Sequence, residues 1–547
     1  MSRNILKSSV QNASFSIVFQ IFFRCISFVL NAFIIRTVGQ DVLGIMNVRL
    51  LLLESTILFL SKEPLLKACL TNAKSHNWAQ VVNLIWLSVP LSALLGVILV
   101  YIWINVLSPT EDIYFTQYKY GCYAIALSCI IEQATQSVVL VAQSFCFVKL
   151  KIVIETFYVL GRTLIFVTLV LNRPSYAINA FSIAQLLSAV LFSILYYGFF
   201  AWYIPELKKK GKTGQDPLFA DMADFPFRNI YDFLPGVMKN QGDIIDKKLL
   251  ILTTTFVKQS FIKQILTEGE RYVMTISPVL TFSQQSMYDI VNNLGSLAAR
   301  FIFRPIEESS YFYFTQTIHR DEPLKQQDQK SVSEASEVLN QLCKVVTSIG
   351  LVVVVFGQSY SNTLLYLYGG KKLVETTLPT TLLQFHCFAI VLLAINGVTE
   401  AYVFATMNNK QLERYNYLMV IFSITFLLIS YLLTNMLGPV GFILANCVNM
   451  AARILHSLHF IHQKYLGTNH NPLNGLIPAP KFVIVLFLCG ISSKYSEAHF
   501  APKSTLLHIA FGGVLFLLTL ATWAFENRAL LMLGYEKYKR RVSLKSD

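Results

Sequence analysis

The sequence predicts an all-α protein that crosses a membrane many times. Hydrophobic residues make up 54% of the 547-residue chain and charged residues only 14%, and the mean hydropathy is +0.52. A typical soluble domain contains about 25% charged residues. Apolar runs of about 20 residues recur along the whole chain, and a helix of that length crosses a hydrocarbon core of about 30 Å. The predicted fold class is therefore a polytopic α-helical membrane protein.

Hydropathy along the chain predicts fourteen membrane-spanning helices. The predicted spans are 14–36, 42–66, 80–106, 118–144, 152–171, 177–203, 252–280, 285–304, 338–357, 379–405, 412–434, 438–462, 481–492 and 504–524. The first of them contains Arg24, is longer than the apolar region of a signal peptide and lacks a small-residue cleavage site. We therefore expect the first span to be retained.

The placement of Lys and Arg predicts the orientation of the chain. Most of them fall in loops on one side of the predicted membrane, including KKKGK at 208–212 and KYKRR at 537–541. Because such residues are concentrated in cytosolic loops, both termini are predicted to be cytosolic. The segments 205–251 and 305–335 are then the two long cytosolic loops. The net charge of +14 indicates topology in this chain and not nucleic-acid binding.

The chain also contains an internal repeat. Residues 39–67 align without gaps on residues 283–311, and this offset of 244 pairs Glu63 with Glu307. Repeats of this kind are common in transporters. The predicted organisation is an N-terminal six-helix half, a linker, a C-terminal six-helix half, and two extra helices with a basic tail. Their predicted ranges are 1–204, 205–251, 252–465 and 466–547.

The same offset relates two pairs of polar helix faces. The first predicted span has a polar face at i, i+4, i+7 and i+11, formed by Gln20, Arg24, Ser27 and Asn31. The seventh span has its counterparts Gln264, Glu268, Arg271 and Thr275. The second span contributes Arg49, Thr56 and Glu63, and the eighth contributes Asn293, Arg300 and Glu307. Four helices in matching positions are thus predicted to carry polar stripes.

Many charged residues fall inside the predicted spans, where an unpaired charge costs at least about 2.5–3.5 kcal/mol. They are Arg24, Arg49, Glu54, Glu132, Arg162, Glu268, Arg271, Arg300, Glu400 and Arg453. We interpret the set as the lining of a hydrated cavity for an anionic polar headgroup, since arginine stays charged and donates bidentately to oxyanions. Interhelical ion pairs that stabilise the bundle, such as Arg300 with Glu63, are the alternative.

No motif for catalysis or cofactor binding occurs in the sequence. The segment KKKGKTG at 208–214 lacks the glycine that a phosphate-binding loop requires, because Glu206 stands at that position. The three histidines within 456–462 drift around a helix without an accompanying carboxylate, unlike a metal site. The nine cysteines have no regular spacing. We expect no enzymatic activity, no metal, no cofactor and no disulfide framework.

Several long stretches allow a comparison with a known family. They are FFRCISFVLNAFIIR, NVRLLLLESTILFL, FVKLKIVIE, KQILTEGERYVMT, YDIVNNLGSLAARFIFRPIEES, LLAINGVTE, RYN and GFILANCVNMAARI. Together they closely resemble the eukaryotic Man(5)GlcNAc(2)-PP-dolichol translocation protein family, over about residues 1–465. That family is similar in fold to the multidrug, oligosaccharidyl-lipid and polysaccharide exporter superfamily, whose bacterial lipid II flippases have fourteen helices.

The resemblance implies a multi-pass protein of the endoplasmic reticulum membrane that takes part in N-glycosylation. Its implied substrate is the dolichol-linked heptasaccharide, moved from the cytosolic to the lumenal leaflet by alternating access. In the related flippases, arginines of helices 1, 2, 7 and 8 contact the lipid diphosphate. The resemblance therefore implies this role for Arg24, Arg49, Arg271 and Arg300.

The stripes predict further residues of the headgroup cavity and its entrances. Gln20, Asn31, Glu268 and Asn293 are predicted to line the cavity with these arginines. A gate or mouth is predicted at Arg36, Glu63, Glu307 and Glu400. The run YFYF at 311–314 is typical of an interfacial aromatic belt. Because Gln20, Ser27 and Thr275 are uncharged, ion coupling of the bacterial kind is not implied.

Two other functions are compatible with the sequence. A non-transporting accessory factor would bind the glycolipid or organise other N-glycosylation proteins through the segments 205–251 and 305–335. A small-molecule antiporter would need an apolar pocket, whereas these stripes are rich in arginine. The expected partners are the dolichol-linked oligosaccharide, lipids of the endoplasmic reticulum membrane and other proteins of the pathway, with no nucleic acid.

Overall fold

The computed structural model describes most of the chain. It covers Phe23, Ile26, residues 28–70, 77–107, 114–145, 147–210, 225–238, 243–277, 279–320, 322–528, and Met532. Within these ranges the chain forms helices and no β-strand, which confirms the all-α class. The chain divides into two compact units, Met1–Ser286 (unit 1) and Met287–Asp547 (unit 2).

Unit 1 is built from helices α1 to α8. Their bounds are Phe28–Thr37, Gln40–Leu70, Trp78–Asn105, Phe115–Ala134, Gln136–Ser144, Val148–Asn172, Ala177–Lys210 and Lys247–Ile276. Within α2, residues Ile45–Leu50 form a π-helical segment. The helix α2 packs against α3, α4 and α8, while α7 packs against α4 and α6. The polar residues of α2 therefore lie at the centre of unit 1.

The division between the units falls within helix α9, after Ser286. Unit 2 contains the remainder of α9 and helices α10 to α16. The bounds of α9 to α16 are Phe282–Ala298, Arg304–Thr317, Gln329–Gly369, Leu378–Thr406, Asn409–Leu437, Val440–Tyr465, Pro480–His499 and Thr505–Glu526. A π-helical segment, Ala299–Phe303, joins α9 to α10. A buried core that includes Phe314, Leu339 and Tyr402 holds α10, α11 and α12 together.

The beginning of α11 is marked by an N-cap. The Asp328 carboxylate accepts a hydrogen bond from the Ser331 hydroxyl at 2.7 Å, and others from the backbone N–H groups of Ser331 and Lys330. These bonds favour the ionised carboxylate and lower the pKa of Asp328. A capping aspartate of this kind satisfies N–H groups that have no partner within the helix.

Most of the predicted spans coincide with apolar helices. Among the described residues, ten helices are long and apolar enough to cross a membrane, and the pair α4 and α5, bent by 45°, makes eleven if it forms one span. The predicted spans outside this set are 14–36, 252–280 and 285–304. The first lies largely outside the described residues, and the other two correspond to α8 and α9, which are rich in polar side chains. The count of fourteen and the cytosolic termini stay predictions.

The segment 305–335, predicted as a solvated loop, is mostly helical. The helix α10 extends to Thr317 and α11 begins at Gln329. The loop prediction was wrong here because charge-rich composition is also that of an amphipathic helix. Ser310 and Phe314, four residues apart on α10, are buried while the charged Glu308 is exposed.

Part of the predicted linker 205–251 is folded onto unit 1. The Phe227 and Phe233 rings stack at 4.6 Å, and Phe233 also contacts Phe200 of α7. Trp86 Nε1 donates to the Phe233 carbonyl at 2.8 Å, and the backbone N–H of Gly236 donates to Asn83 at 2.8 Å. The residues 225–238 are therefore anchored to α3 and α7. The predicted domain boundaries themselves stay predictions.

Candidate functional site

Two of the predicted polar stripes meet inside unit 1, where α2 packs against α8. The Ser55 hydroxyl donates to Glu268 Oε1 at 3.0 Å, and Thr56 Oγ1 lies 2.7 Å from Tyr272 Oη. Gln264 Nε2 lies 3.4 Å from both Ser55 Oγ and Tyr272 Oη. We call these five residues the polar seam. Hydrogen bonds across the seam satisfy polar groups that would be costly to bury alone.

The polar seam also contributes to an ion pair. Arg271 Nη1 lies 3.3 Å from Glu268 Oε2, one helical turn away on α8. The Arg271 side chain is 31% exposed and the Glu268 side chain 17%. Unlike the buried part of the seam, this pair is therefore within reach of an external group. Glu268 and Arg271, both predicted headgroup residues, are adjacent because they lie three residues apart on α8.

Arg49 lies in different surroundings. Its side chain donates to the Leu107 carbonyl, and its guanidinium carbon lies 5.3 Å from the centre of the Phe282 ring. The Trp103 indole donates to the Arg49 carbonyl at 3.1 Å. Arg49 is only 6% exposed. It lies in the π-helical segment of α2, a feature that is rare in proteins and frequent at functional sites.

A second buried network in unit 1 involves Glu54 and Arg162, two of the charges that we interpreted from the sequence as cavity lining. Arg162 Nη1 lies 3.7 Å from Glu54 Oε2 and donates to Gln185 Oε1 at 3.1 Å. Gln185 Nε2 in turn donates to Glu54 Oε1 at 2.7 Å. The three residues lie on α2, α6 and α7. For Glu54 and Arg162, the structure supports the alternative that buried charges form interhelical ion pairs.

Glu63, predicted as a gate residue, is shared by two lysines of unit 1. Its Oε1 lies 3.4 Å from Lys67 Nζ on α2 and 3.5 Å from Lys263 Nζ on α8. The neighbouring Lys62 forms a separate pair with Glu132 of α4 at 3.6 Å. The end of α2 is thus connected to α8 and to α4 by ion pairs.

In unit 2, Arg300 and Asn293 lie about two turns apart on one helical segment. Arg300 Nη2 donates to the Asn293 carbonyl and to Ser296 Oγ, both at 2.9 Å. Asn293 Nδ2 donates to Asp289 Oδ2 at 3.1 Å. Arg300 is exposed within unit 2 and lies in the π-helical segment that follows α9. Each of the two π-helical segments described above therefore contains an arginine of a predicted polar stripe, Arg49 in α2 and Arg300 after α9.

Glu400 lies at the centre of a buried network in unit 2. Arg453 of α14 bonds both carboxylate oxygens of Glu400, with Arg453 Nε 3.3 Å from Oε1 and Nη2 bonded to Oε2. The Tyr415 hydroxyl donates to Glu400 Oε1 at 2.7 Å, and Asn396 Nδ2 donates to Oε2 at 3.2 Å. Glu400 is only 5% exposed. The network joins α12, α13 and α14.

Glu307, the counterpart of Glu63 in the repeat, is half-buried on α10. A Cβ atom placed on Gly397 would lie 3.2 Å from Glu307 Oε2, so the carboxylate lies directly against α12. Of the other predicted residues, Asn31 and Arg36 are exposed on α1. Gln20 and Arg24 lie outside the described residues.

Some residues of these networks were absent from the sequence predictions. Tyr272 had a usable signal, because Gln264, Glu268 and Tyr272 recur every four residues along one face of α8. Gln185 and Tyr415 had none, since single polar residues in apolar helices do not indicate a partner. No group of metal-ligating side chains occurs among the residues that the structure describes.

Comparison with known proteins gives concordant results. A family model described as Rft protein matches residues 8–537. The chain is 50% identical to the Man(5)GlcNAc(2)-PP-dolichol translocation protein RFT1 of Drosophila melanogaster, with 100% of both sequences covered. It is 42% identical to the protein of the same name from Xenopus tropicalis, covering 97% of this chain and 96% of the relative. For the Mus musculus protein of that name the identity is 39%, with 99% of both covered.

A solved structure has the same fold. The lipid II flippase MurJ in its inward closed conformation matches with a TM-score of 0.59, covering 94% of this chain and 99% of the MurJ chain. The sequence identity is 11%, so the likeness concerns the fold alone.

Proposed function

Because the chain belongs to the Rft protein family, we propose that it moves Man(5)GlcNAc(2)-PP-dolichol across the endoplasmic reticulum membrane. The lipid would pass from the cytosolic to the lumenal leaflet, where it serves protein N-glycosylation. The observation that carries the proposal is the polar seam with its partly exposed Glu268–Arg271 pair, in a chain with a flippase fold. The relatives' names supply the substrate.

The proposed substrate poses a problem that a polar path within the protein would solve. Its seven sugars and diphosphate carry many hydroxyl and anionic groups. Each polar group buried without a partner costs about 1–3 kcal/mol on protein-based scales, so unassisted crossing of the hydrocarbon core is negligibly slow. A hydrated cleft lined by polar side chains would remove most of this cost, while the dolichyl chain stays in lipid.

We assign the diphosphate contact first to Arg271. It is partly exposed and already pairs with a carboxylate, so a diphosphate oxygen can replace Glu268 as its acceptor. Arg24 and Arg300 are proposed as further contacts, together with Gln20, Asn31 and Asn293. Arg49 is buried in this structure, so it would contact the substrate only in a conformation that exposes its side chain.

Alternating access is the mechanism that we propose, with the gate residues at the ends of the path. Glu63 would act as a latch, because its two lysine partners belong to different helices. Arg36 and Glu307 are proposed to act at the entrances. Glu400, which is fully engaged with Arg453, is proposed to fix the helices beside Glu307.

Reconstitution into liposomes tests the proposal. We expect the wild-type protein to move the authentic dolichol-linked heptasaccharide between leaflets, and Arg271→Ala to reduce the rate about 10- to 100-fold. That range corresponds to the loss of one charge-assisted hydrogen bond of about 1.5–3 kcal/mol. Lys258→Ala is the control, since Lys258 is an exposed cation of the same helix. Arg24→Ala is measured in parallel.

Two results would contradict the proposal. Wild-type protein that moves no heptasaccharide lipid under any imposed gradient would exclude transport by the protein alone. Equal rates for Arg271→Ala and Lys258→Ala would exclude the assigned contact. Melting temperatures of the variants, measured in the same detergent, separate a lost contact from a lost fold.

A second function is favoured by one observation, namely that several candidate cations are engaged within the protein. Arg49 is buried and Arg271 pairs with Glu268. A non-transporting accessory factor that binds the glycolipid needs no moving cation. Tight binding of the heptasaccharide lipid by purified protein, without its movement in liposomes, would identify this function.

A further inference from the structure

Unit 2 contains a cavity of about 330 Å³ to which the transport proposal assigns no ligand. The helix α10 contributes Glu307, Glu308 and Tyr311 to its wall, and Arg320 follows α10 in the chain. The opposite wall includes Phe404 of α12 and Leu412 of α13. Acidic, basic and aromatic side chains thus line one cavity.

The acidic side of the cavity has one carboxylate without a direct partner. Among the described residues, Glu307 forms no ion pair and no hydrogen bond, although three arginines lie in the same region. Arg304 pairs with Glu308 at 2.9 Å, and Arg453 is bonded to Glu400. A half-buried carboxylate in this situation favours a cationic ligand, because burial weakens its hydration.

The aromatic residues of the wall suit the same kind of ligand. Tyr311 lines the cavity on the same helix as Glu307, and Phe404 lines it from α12. The face of an aromatic ring attracts an ammonium group by about 0.5–2 kcal/mol, depending on how far the group is desolvated. A cavity that contains a carboxylate and two aromatic rings is therefore favourable for a primary or quaternary ammonium.

The basic residue of the cavity wall, Arg320, is held in position by hydrogen bonds. Arg320 Nε donates to the Ala405 carbonyl at 3.0 Å, and Arg320 Nη2 donates to Tyr311 Oη at 3.3 Å. These two bonds orient a guanidinium that has five N–H donors in total. The planar arrangement of such donors matches the oxygens of a phosphate group.

Exposed aromatic side chains lie at and next to the cavity. Next to Tyr311, the Phe312 side chain is 67% exposed, and Tyr311 itself is 41% exposed. Exposed aromatic residues on an amphipathic helix are typical of the headgroup level of a bilayer. A ligand with both an ammonium and a phosphate group is abundant at that level.

We propose that this cavity binds the headgroup of a zwitterionic phospholipid. The ammonium group lies against Glu307, Tyr311 and Phe404, and the phosphodiester accepts hydrogen bonds from Arg320. The acyl chains extend past Phe312 into the bilayer. The proposal makes a membrane phospholipid a structural ligand of α10, α12 and α13, at a site that shares Glu307 with the proposed entrance of the transport path.

Native mass spectrometry of the purified full chain tests the site. Phosphatidylethanolamine, phosphatidylcholine and phosphatidylglycerol with identical acyl chains are added separately at equal concentration. We expect at least one of the two zwitterionic lipids to be retained about tenfold more than phosphatidylglycerol, as an energy difference of about 1.4 kcal/mol would produce. Whichever of phosphatidylethanolamine and phosphatidylcholine is retained more identifies the preferred headgroup.

Variants locate the retained lipid. We expect Glu307→Gln and Arg320→Gln each to lower retention of that lipid about tenfold, and Glu334→Gln, an exposed carboxylate of α11, to leave it unchanged. If Arg320→Gln lowers the melting temperature, Leu412→Trp takes its place, because a larger side chain at Leu412 fills the cavity. Unchanged retention in Glu307→Gln or in Leu412→Trp overturns the proposal.

Two further outcomes would also contradict the proposed phospholipid site. Retention that depends on Glu307 but is unaffected in a stably folded Arg320→Gln protein would indicate a cation site, for example for a lysine side chain of a partner. Equal retention of phosphatidylglycerol would indicate unspecific attachment of lipid to the apolar surface.

Discussion

Arg453→Met is expected to destabilise the protein by about 3–5 kcal/mol, which is the range for removal of one partner from a buried ion pair. Glu400 is 5% exposed, and Arg453 bonds both of its carboxylate oxygens. Without the arginine, Tyr415 and Asn396 still donate to Glu400, but the buried negative charge has no counter-ion. The measurement is the melting temperature of the purified protein in detergent.

Two companion variants make this result specific. Arg414→Met removes an exposed arginine from α13 and is expected to leave the melting temperature nearly unchanged. The double variant Glu400→Gln with Arg453→Met removes both charges and is expected to recover much of the loss. If Arg453→Met and Arg414→Met have the same melting temperature, the buried pair does not stabilise unit 2.

Gly44→Ala is expected to have the second largest effect, a destabilisation of about 1–3 kcal/mol from overpacking. A Cβ atom on Gly44 would lie 2.1 Å from the Phe282 carbonyl oxygen and 2.8 Å from its carbon. The obstacle is backbone, so α2 or the chain at Phe282 must move. That movement would strain the bond of 2.9 Å between Ser283 and Gln40 and displace the Phe282 ring from Arg49.

Gly198→Ala is the matched control for this steric effect. Gly198 lies in the middle of α7, and a Cβ atom there would meet nothing within 4 Å. Alanine in a helix interior is favoured over glycine by up to about 1 kcal/mol, so this variant should be as stable as the wild type or slightly more stable. If Gly44→Ala has the same melting temperature as Gly198→Ala, the close contact at Phe282 is readily relaxed.

The polar seam was partly predictable. The repeat offset and the helical spacing placed Gln264, Glu268 and Arg271 on one face of the seventh span, and the fold brings that face against Thr56 of α2. Spacing along a helix determines which residues share a face. It carries no information about the neighbouring helix, so the bond from Ser55 to Glu268 required the structure.

The buried charges illustrate the same limit. Glu54, Arg162, Glu400 and Arg453 were identified from the sequence as charges within spans, and a shared cavity was the favoured explanation. In the structure they form two separate interhelical networks, one in each unit. Glu54 and Arg162 are more than a hundred residues apart in the chain, and nothing in either helix alone specifies their contact.

Composition, hydropathy and long family-specific stretches determined the all-α membrane class, most of the apolar helices and the family. These are local properties, since each depends on the chemistry of consecutive residues. Only the tertiary structure decided which arginine is buried, as Arg49 is, and which is partly exposed, as Arg271 is. Such outcomes depend on distances between distant parts of the chain, and packing sets those distances.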